Sequence, residues 1–267
     1  MPYYKTDKIT LYNGCCLDVM QQLNDDNVKV DMCLTDPPYG MTAAKWDSVI
    51  PLKSMWERVH NIVKFNGALC VFGCPPFSAN LIMSNIDNFK YCWYWEKSVA
   101  TCFQHSKNRP MAIMEEICVF SLASMGHKSL LKDKRMNYYP QGIKEAGKRT
   151  ITDRTHGGYL GARPNQVGRE YTAYTGFHNN LLKYNSVPKS KAIHVTEKPV
   201  DLLAYLIQCY TKEGDTVIDF TAGSGSTGEA CLMTDRKCIL IEKDKEMCEK
   251  IVERLGGGLL WNWSLEI

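Results

Sequence analysis

The sequence predicts an α/β protein, a mostly parallel sheet with helices on both faces, interrupted by a basic inserted segment. Three observations lead there. Short apolar runs of strand length alternate with stretches of helical period over the first 120 residues, and they do so again over the last 75. That alternation is what a parallel sheet with crossover helices requires. Between them, residues 124–191 lose both periods and fill with Gly, Arg, Tyr and Asn. So long a stretch inside a domain reads as a functional insert.

In chain order, KITLYNG (8–14), VDMCLTD (30–36), GALCVFG (67–73), KYCWYWEK (90–97) and EEICVFSL (115–122) are apolar runs bounded by turn residues, as strands are. CLDVMQQLND (16–25) lies between the first two. Between the next two, the segment 50–67 repeats Leu52, Met55, Trp56, Val59, Ile62 and Val63 at helical spacing. FSANLIMSNI (77–86) is a third helix. After the insert come a helix at 200–211, a strand at 216–220 running into a glycine turn, a helix at 225–234, a strand at 237–242 and a helix from 245 with a glycine stop. The strands number seven.

Composition narrows the class. At 267 residues and 45% hydrophobic, the chain can bury a full core. No apolar run approaches the roughly 20 residues of a membrane span, and MPYYKTDK lacks the apolar stretch of a signal peptide, so a cytoplasmic protein without a membrane partner is expected. Twelve scattered cysteines form no CxxC, which predicts reduced thiols and no metal site. The net charge is only +3, but residues 121–193 hold thirteen Lys or Arg against four acids, a local +9 that leaves −6 for the rest. A basic module on an acidic body suits a polyanionic partner; a solvated loop with a chance bias is the plainer alternative.

LTDPPYG (34–40) follows a buried-looking strand. Asp-Pro-Pro ends strands well, since proline donates no N–H and holds its predecessor extended. The same place is where open α/β sheets put their ligands. Near the other end, VIDFTAGSGSTGEAC turns on Gly223, Ser224 and Gly225 into a helix, with Gly228 completing a loose GxGxxG, and Glu242 closes the next strand nineteen residues after Gly223. Glycines there let the backbone approach a ligand, and an acid at that spacing can accept both hydroxyls of a ribose. The loop has no Walker-type Lys, and Asp219 beside it would repel a pyrophosphate but attract an ammonium. An adenosine with a cationic tail fits, and S-adenosylmethionine has that chemistry.

With DPPY first, a basic segment next, and TEKP followed by the glycine turn last, the chain resembles the β class of amino-group DNA methyltransferases over roughly 190 residues outside the insert. TDPPYGMTAAKWDSVIP, FKYCWYWEK and IDFTAGSGSTGEAC look closest to methylases of bacteriophage and prophage type. The resemblance implies a circularly permuted, Rossmann-like methyltransferase fold with a seven-stranded sheet. Residues 1–123 would form the catalytic half, 124–191 a target-recognition insert, and 192–267 the cofactor-binding half. It implies catalytic roles for Asp36, Pro37, Pro38 and Tyr39. For the cofactor it implies Cys15, Cys16, Asp36, Thr196, Lys198, Pro199, Asp219, Phe220, Thr221, Ala222, Gly223, Ser224, Gly225 and Glu242. Double-stranded DNA is the implied substrate, and relatives often form homodimers.

Two departures stand out. Where relatives often have HPTQKP, this chain has His194-Val195-Thr196-Glu197-Lys198-Pro199. Where they usually have Asn-Gly-Asp-Cys, with the Asp near the adenine of the cofactor, it has Asn13-Gly14-Cys15-Cys16. Cys15 cannot accept a comparable hydrogen bond, so weaker cofactor binding is expected.

The implied chemistry explains DPPY. An exocyclic amine is a poor nucleophile because its lone pair is delocalised into the ring. Asp36 and the Pro37 carbonyl, accepting one N–H each, favour a tetrahedral nitrogen in line with the sulfonium methyl. Tyr39 offers a stacking surface to a base flipped from the duplex. Trp46 could line the base pocket or be a packed surface aromatic; Lys107 and Arg109 could hold phosphate or be solvated. Arg154, Arg163 and Arg169 of the insert are further DNA-binding candidates. Cytosine-N4 transfer is the alternative chemistry, more often accompanied by Ser in place of Asp36, and a non-catalytic DNA-binding or cofactor-sensing protein is the alternative class.

Overall fold

The computed structural model describes residues 1–44, 46–126, 131, 134–152, 167–188, 190, 192–194 and 196–256. Strand β3 (Val30–Thr35) is buried at all six positions, and so must lie in the interior of a sheet covered on both faces. Its neighbours supply the rest of that sheet: β1 (Tyr4–Lys5), β2 (Ile9–Asn13), β4 (Val63–Gly73), β5 (Phe89–Thr101), β6 (Ala112–Phe120), β9 (Leu181–Tyr184), β10 (Thr216–Asp219) and β11 (Lys237–Glu242). The order is β1-β2-β11-β10-β3-β4-β6-β5-β9. From β2 to β4 every pairing is parallel; β6 runs antiparallel between β4 and β5. The seven strands read from the sequence are all present, and short β1 and β9 extend the two edges.

Side chains alternate along each inner strand with period two, broken in β3 by the bulge between Val30 and Met32. Met32, Leu34, Val217 and Leu240 face a core shared with α4 (Val200–Tyr210), α5 (Ser226–Met233) and α6 (Lys245–Gly256). Val30, Cys33, Ile218 and Ile241 face the other core, shared with α1 (Cys16–Asp25), α2 (Leu52–Ile62) and α3 (Phe77–Met83). Each helix buries one stripe, as Met55, Trp56, Val59 and Ile62 do in α2. Burying one such side chain is worth about 1.5–3 kcal/mol, so neither face can be left open.

Three sequence expectations need correction. The second helix stops at Ile62 rather than running to 67, because Val63 already pairs with Val30 and Lys64 reaches back to Asp31 at 2.6 Å across a bulge. The third helix ends at Met83, short of 86. Strands occur within residues 124–191, where no period was legible: β7 (Lys144–Thr150) pairs antiparallel with β8 (Glu170–Thr175), and β9 joins the main sheet beside β5. All seven residues of β7 are exposed, so neither face demands the apolar alternation that reveals a strand.

The chain divides into two compact units, Met1–Tyr139 with Asn180–Ile267, and Pro140–Asn179. The first holds the nine-stranded sheet and the second the β7–β8 ribbon. Among the described residues no helix is long and apolar enough to cross a membrane. The parallel strands end on one edge of the sheet. Going from β3, the chain moves on to β4 on one side, whereas β10 and β11 lie on the other, so the strand order reverses between β3 and β10. Such a reversal opens the crevice in which α/β sheets bind ligands.

Candidate active site

Asp36 follows the last residue of β3 directly and stands at the reversal point. Pro37 behind it is buried and Pro38 half-buried, which keeps the loop short and stiff. The Tyr39 ring stacks on Phe77 with centroids 5.0 Å apart and planes at 24°. Its hydroxyl donates to Asp36 Oδ1 at 2.5 Å, with Glu115 Oε1 as a second acceptor at 3.1 Å. Lys198, just ahead of α4, places its ammonium 2.5 Å from Asp36 Oδ2 and 2.9 Å from Glu115 Oε1. Lys97 near the end of β5 holds Glu115 Oε2 at 2.6 Å. A chain of alternating charge, Asp36, Lys198, Glu115 and Lys97, therefore lines the base of the crevice.

Burial sets the electrostatics of this chain. It raises Asp36, and the Glu115 charge adds to that, while Lys198 and the Tyr39 hydroxyl pull it down without cancelling the rise. For Glu115 burial is outweighed: Lys198 and Lys97, with their hydrogen bonds, hold it at about 2. Lys198 is raised, its two carboxylates overcoming the burial that opposes its charge. Burial first, then Asp36 and Glu115, lifts Tyr39 well above an ordinary phenol, so its hydroxyl stays a donor.

Asp47, buried, organises the loop after DPPY. Its carboxylate accepts from the backbone N–H of Gly40, Met41 and Thr42 at 2.8, 2.9 and 2.7 Å. Those three bonds fix the chain that leads to Trp46, which is 52% exposed and packs edge-on against His194 at 5.4 Å.

The glycine turn is joined to the DPPY strand through Thr35. Its hydroxyl donates to Asp219 Oδ1 at 2.9 Å and lies 2.6 Å from Thr221 Oγ1; Thr227 donates to Asp219 Oδ2 at 2.6 Å. Burial pushes Asp219 up to about 6, against the hydrogen bonds from Thr227, the Thr221 N–H and Thr35. Gly225 adopts φ +79° at the start of α5, and a Cβ on Gly228 would sit 2.7 Å from Leu255 and 2.9 Å from Leu240. The first position needs a left-handed turn and the second a close helix–strand approach, so both select glycine. Phe220, Ala222 and Ser224 are buried beneath the turn, while Gly223 and Thr221 remain half-exposed.

Glu242 accepts from the Gly223 N–H and the Asp244 N–H, both at 2.8 Å. Burial raises its carboxyl against those hydrogen bonds. Asn13 donates to the carbonyls of Glu242 and Lys243 at 3.1 Å each, which brings Cys15 and Cys16 beside it. Cys15 is exposed and caps α1 with its backbone alone; burial lifts the Cys16 thiol to about 11. The TEKP segment is fastened by Arg254 of α6, which binds Glu197 at 2.9 Å, Glu229 at 2.6 Å and the Ser224 carbonyl at 3.1 Å. Thr196 is exposed and bonded to His194, and Pro199 is buried at the start of α4. The departure from Gln to Glu in this segment thus has its partner in Arg254.

The polar groups around the turn are carboxylates, which accept, and hydroxyls and backbone amides, which donate. Asp36, Asp219 and Glu242 suit a ribose and a cationic tail, and would repel a pyrophosphate. Residues 30–253 match the family described as DNA methylase. The chain belongs to that family.

This DNA methylase is 26% identical over 224 residues to the type II methyltransferase M1.MboII of Moraxella bovis, covering 79% of this chain and 83% of the relative. Among solved structures, M1.HpyAVI in complex with SAM superposes with a TM-score of 0.61 at 21% identity, covering 92% of this chain and all of the other. The PvuII DNA methyltransferase, described as cytosine-N4-specific, superposes with a TM-score of 0.63 at 17% identity over 95% of this chain and 88% of the other. Both share the fold.

Sequence reading missed five side chains that the folded DNA methylase brings to the site: Thr35, Asp47, Lys97, Glu115 and Arg254. Glu115 and Lys97 carried a faint signal, charged residues at the ends of the apolar runs EEICVFSL and KYCWYWEK; the others carried none. Of the candidate DNA-binding residues, Lys107, Arg109 and Arg169 are exposed, while Arg154 and Arg163 lie outside the described residues.

Proposed function

We propose that this DNA methylase methylates the N6 amine of adenine in duplex DNA, with S-adenosylmethionine as the donor. The observation that carries the reading is Asp36, a carboxylate placed directly after β3 where the strand order reverses and held there by Tyr39 and Lys198. The cofactor would lie against Gly223, Glu242 and Cys15, with the TEKP segment at its amino-acid end. When bound, it supplies an electrophilic methyl group on a cationic sulfur.

The residues of the chain prepare the amine. Asp36 and the Pro37 carbonyl accept its two N–H groups, which localises the lone pair and orients it. Tyr39, held by Phe77 on one face and by its hydroxyl at the edge, gives the flipped base a fixed surface for stacking. The nitrogen sheds one proton as it gains the methyl group, and Asp36 is the base placed to take it. The exposed cations Lys107, Arg109 and Arg169 suit phosphate contacts, which would position the duplex without reading its sequence. Asp36, where cytosine-N4 enzymes more often carry Ser, favours adenine.

The test is nucleoside analysis by mass spectrometry of duplex DNA incubated with the protein and the cofactor. N6-methyladenine is expected, and Asp36→Ala should abolish it. N4-methylcytosine would overturn the choice of base; no product on a random-sequence duplex library would overturn the enzymatic reading.

A further inference from the structure

We propose that Glu115, anchored by Lys97, is the exchange partner of Asp36: as the target amine arrives, Glu115 takes over Lys198 and the Tyr39 hydroxyl. This rests on the reading that Asp36 accepts that amine. The geometry otherwise contains a conflict. Both Asp36 oxygens already hold short, strong donors, Tyr39 on Oδ1 and Lys198 on Oδ2, each at 2.5 Å. An incoming N–H must compete with both, and displacing a buried donor with no replacement acceptor would be costly.

Each donor has a second acceptor, and it is the same atom. Glu115 Oε1 lies 2.9 Å from the Lys198 ammonium and 3.1 Å from the Tyr39 hydroxyl. A small shift of the two donors therefore frees Asp36 while both stay bonded. The far oxygen of Glu115 is fixed by Lys97 at 2.6 Å, so the acceptor is already in place. Lys198 also packs over the Phe72 ring at 5.1 Å, an apolar floor across which its ammonium can move without leaving a partner. Methyl transfer as proposed uses neither Glu115 nor Lys97, yet a buried carboxylate such as Glu115 is expensive to keep unless it is paired, here with the half-buried Lys97 and with Lys198. Glu115 is a positioning residue, since it acts through Lys198 and Tyr39.

The charged and titratable groups facing Asp36 are Lys198 ahead of α4, Tyr39 in its own loop, Glu115 on β6 backed by Lys97 on β5, Cys74 after β4 and Asp219 ending β10. Lys198 favours the Asp36 carboxylate, and Glu115 and Asp219 oppose it. Activity needs that carboxylate, so it is lost as pH falls through the Asp36 pKa. In Glu115→Gln the opposing charge is gone and Lys198 belongs to Asp36 alone. The acid limb should then move to lower pH, while the plateau of the single-turnover rate falls about tenfold or more. In Lys97→Met the carboxyl of Glu115 loses one of the cations that hold it at about 2, titrates higher, and drops Lys198 back onto Asp36 when protonated. That acid limb should move to higher pH, and Lys97→Arg should restore it.

Single-turnover methylation against pH, for the wild type and these three variants, reads the opposed shifts. A lowered plateau with unmoved limbs would mean a merely structural role and overturn the proposal. If Glu115→Gln does not fold, the Lys97 pair decides alone. A carboxyl-carbon NMR titration, with Asp36 and Glu115 assigned through Asp36→Asn and Glu115→Gln, gives a readout that needs no turnover: the Asp36 pKa should fall in Glu115→Gln and the Glu115 pKa should rise in Lys97→Met, and an unmoved pair would overturn the coupling. A wild type that methylates no DNA sinks the proposed function, while the titration still judges the coupling.

Discussion

Cys15 occupies the position where relatives usually carry Asp, and in the structure it is an exposed thiol at the start of α1, next to the Asn13 and Glu242 junction. Cys15→Asp should tighten binding of S-adenosylmethionine by about 1–2 kcal/mol, one hydrogen bond regained, and titration calorimetry reads it directly. An unchanged Kd would place adenine recognition elsewhere. Asp219 gives a residue-scale prediction of the opposite kind. Its folded carboxyl titrates at about 6 against an ordinary 3.8, so the folded state binds more protons between those values. The stability contribution is complete below pH 3.8 and is lost as pH rises through 6. Denaturant titrations across that window should show stability falling with pH in the wild type and a flatter profile in Asp219→Asn.

At the scale of elements, Arg254 lets α6 fasten the TEKP segment and the glycine turn at once. The Glu197 side chain it binds is only 5% exposed, so removing the guanidinium leaves a buried, uncompensated carboxylate. Arg254→Ala should cost about 3–5 kcal/mol of stability, and Arg254→Ala with Glu197→Gln should recover part of it in a double-mutant cycle. Additive losses would mean that the pair is not coupled. Element boundaries followed the same logic of partners. The α1 helix was legible in full because its stripe ends with its polar cap, whereas α2 and β4 share a junction at Val63 that only the pairing with Val30 fixes. The β7 strand was illegible since nothing buries it.

At the scale of the whole molecule, part of the basic segment read from the sequence forms the β7–β8 ribbon, in the unit Pro140–Asn179. Lys144, Lys148 and Arg149 on β7 and Arg169 ahead of β8 are all exposed there. If the ribbon contacts DNA phosphates, Lys148→Glu with Arg149→Glu should weaken DNA binding at all sequences and lower the salt slope of the binding constant by about 2, close to 0.9 for each lost phosphate contact. Affinity for the cofactor should not change. Fluorescence anisotropy over a salt series measures both, and an unaltered slope would remove the ribbon from the interface.

The sequence by itself determined the seven inner strands, the helices between them, the DPPY loop and the glycine turn. Each of these is written in neighbouring residues, as hydrophobic period or as backbone chemistry at one turn. Only the tertiary structure decided which charges meet. Asp36 and Lys198 are 162 residues apart, and Glu115 and Lys97 lie on two further strands whose adjacency depends on sheet order. An ion pair is a property of distance in space, and no local pattern encodes it. The candidate catalytic carboxylate could be named from LTDPPYG, but the buried partners that set its protonation and its hydrogen bonds came into view only with the fold.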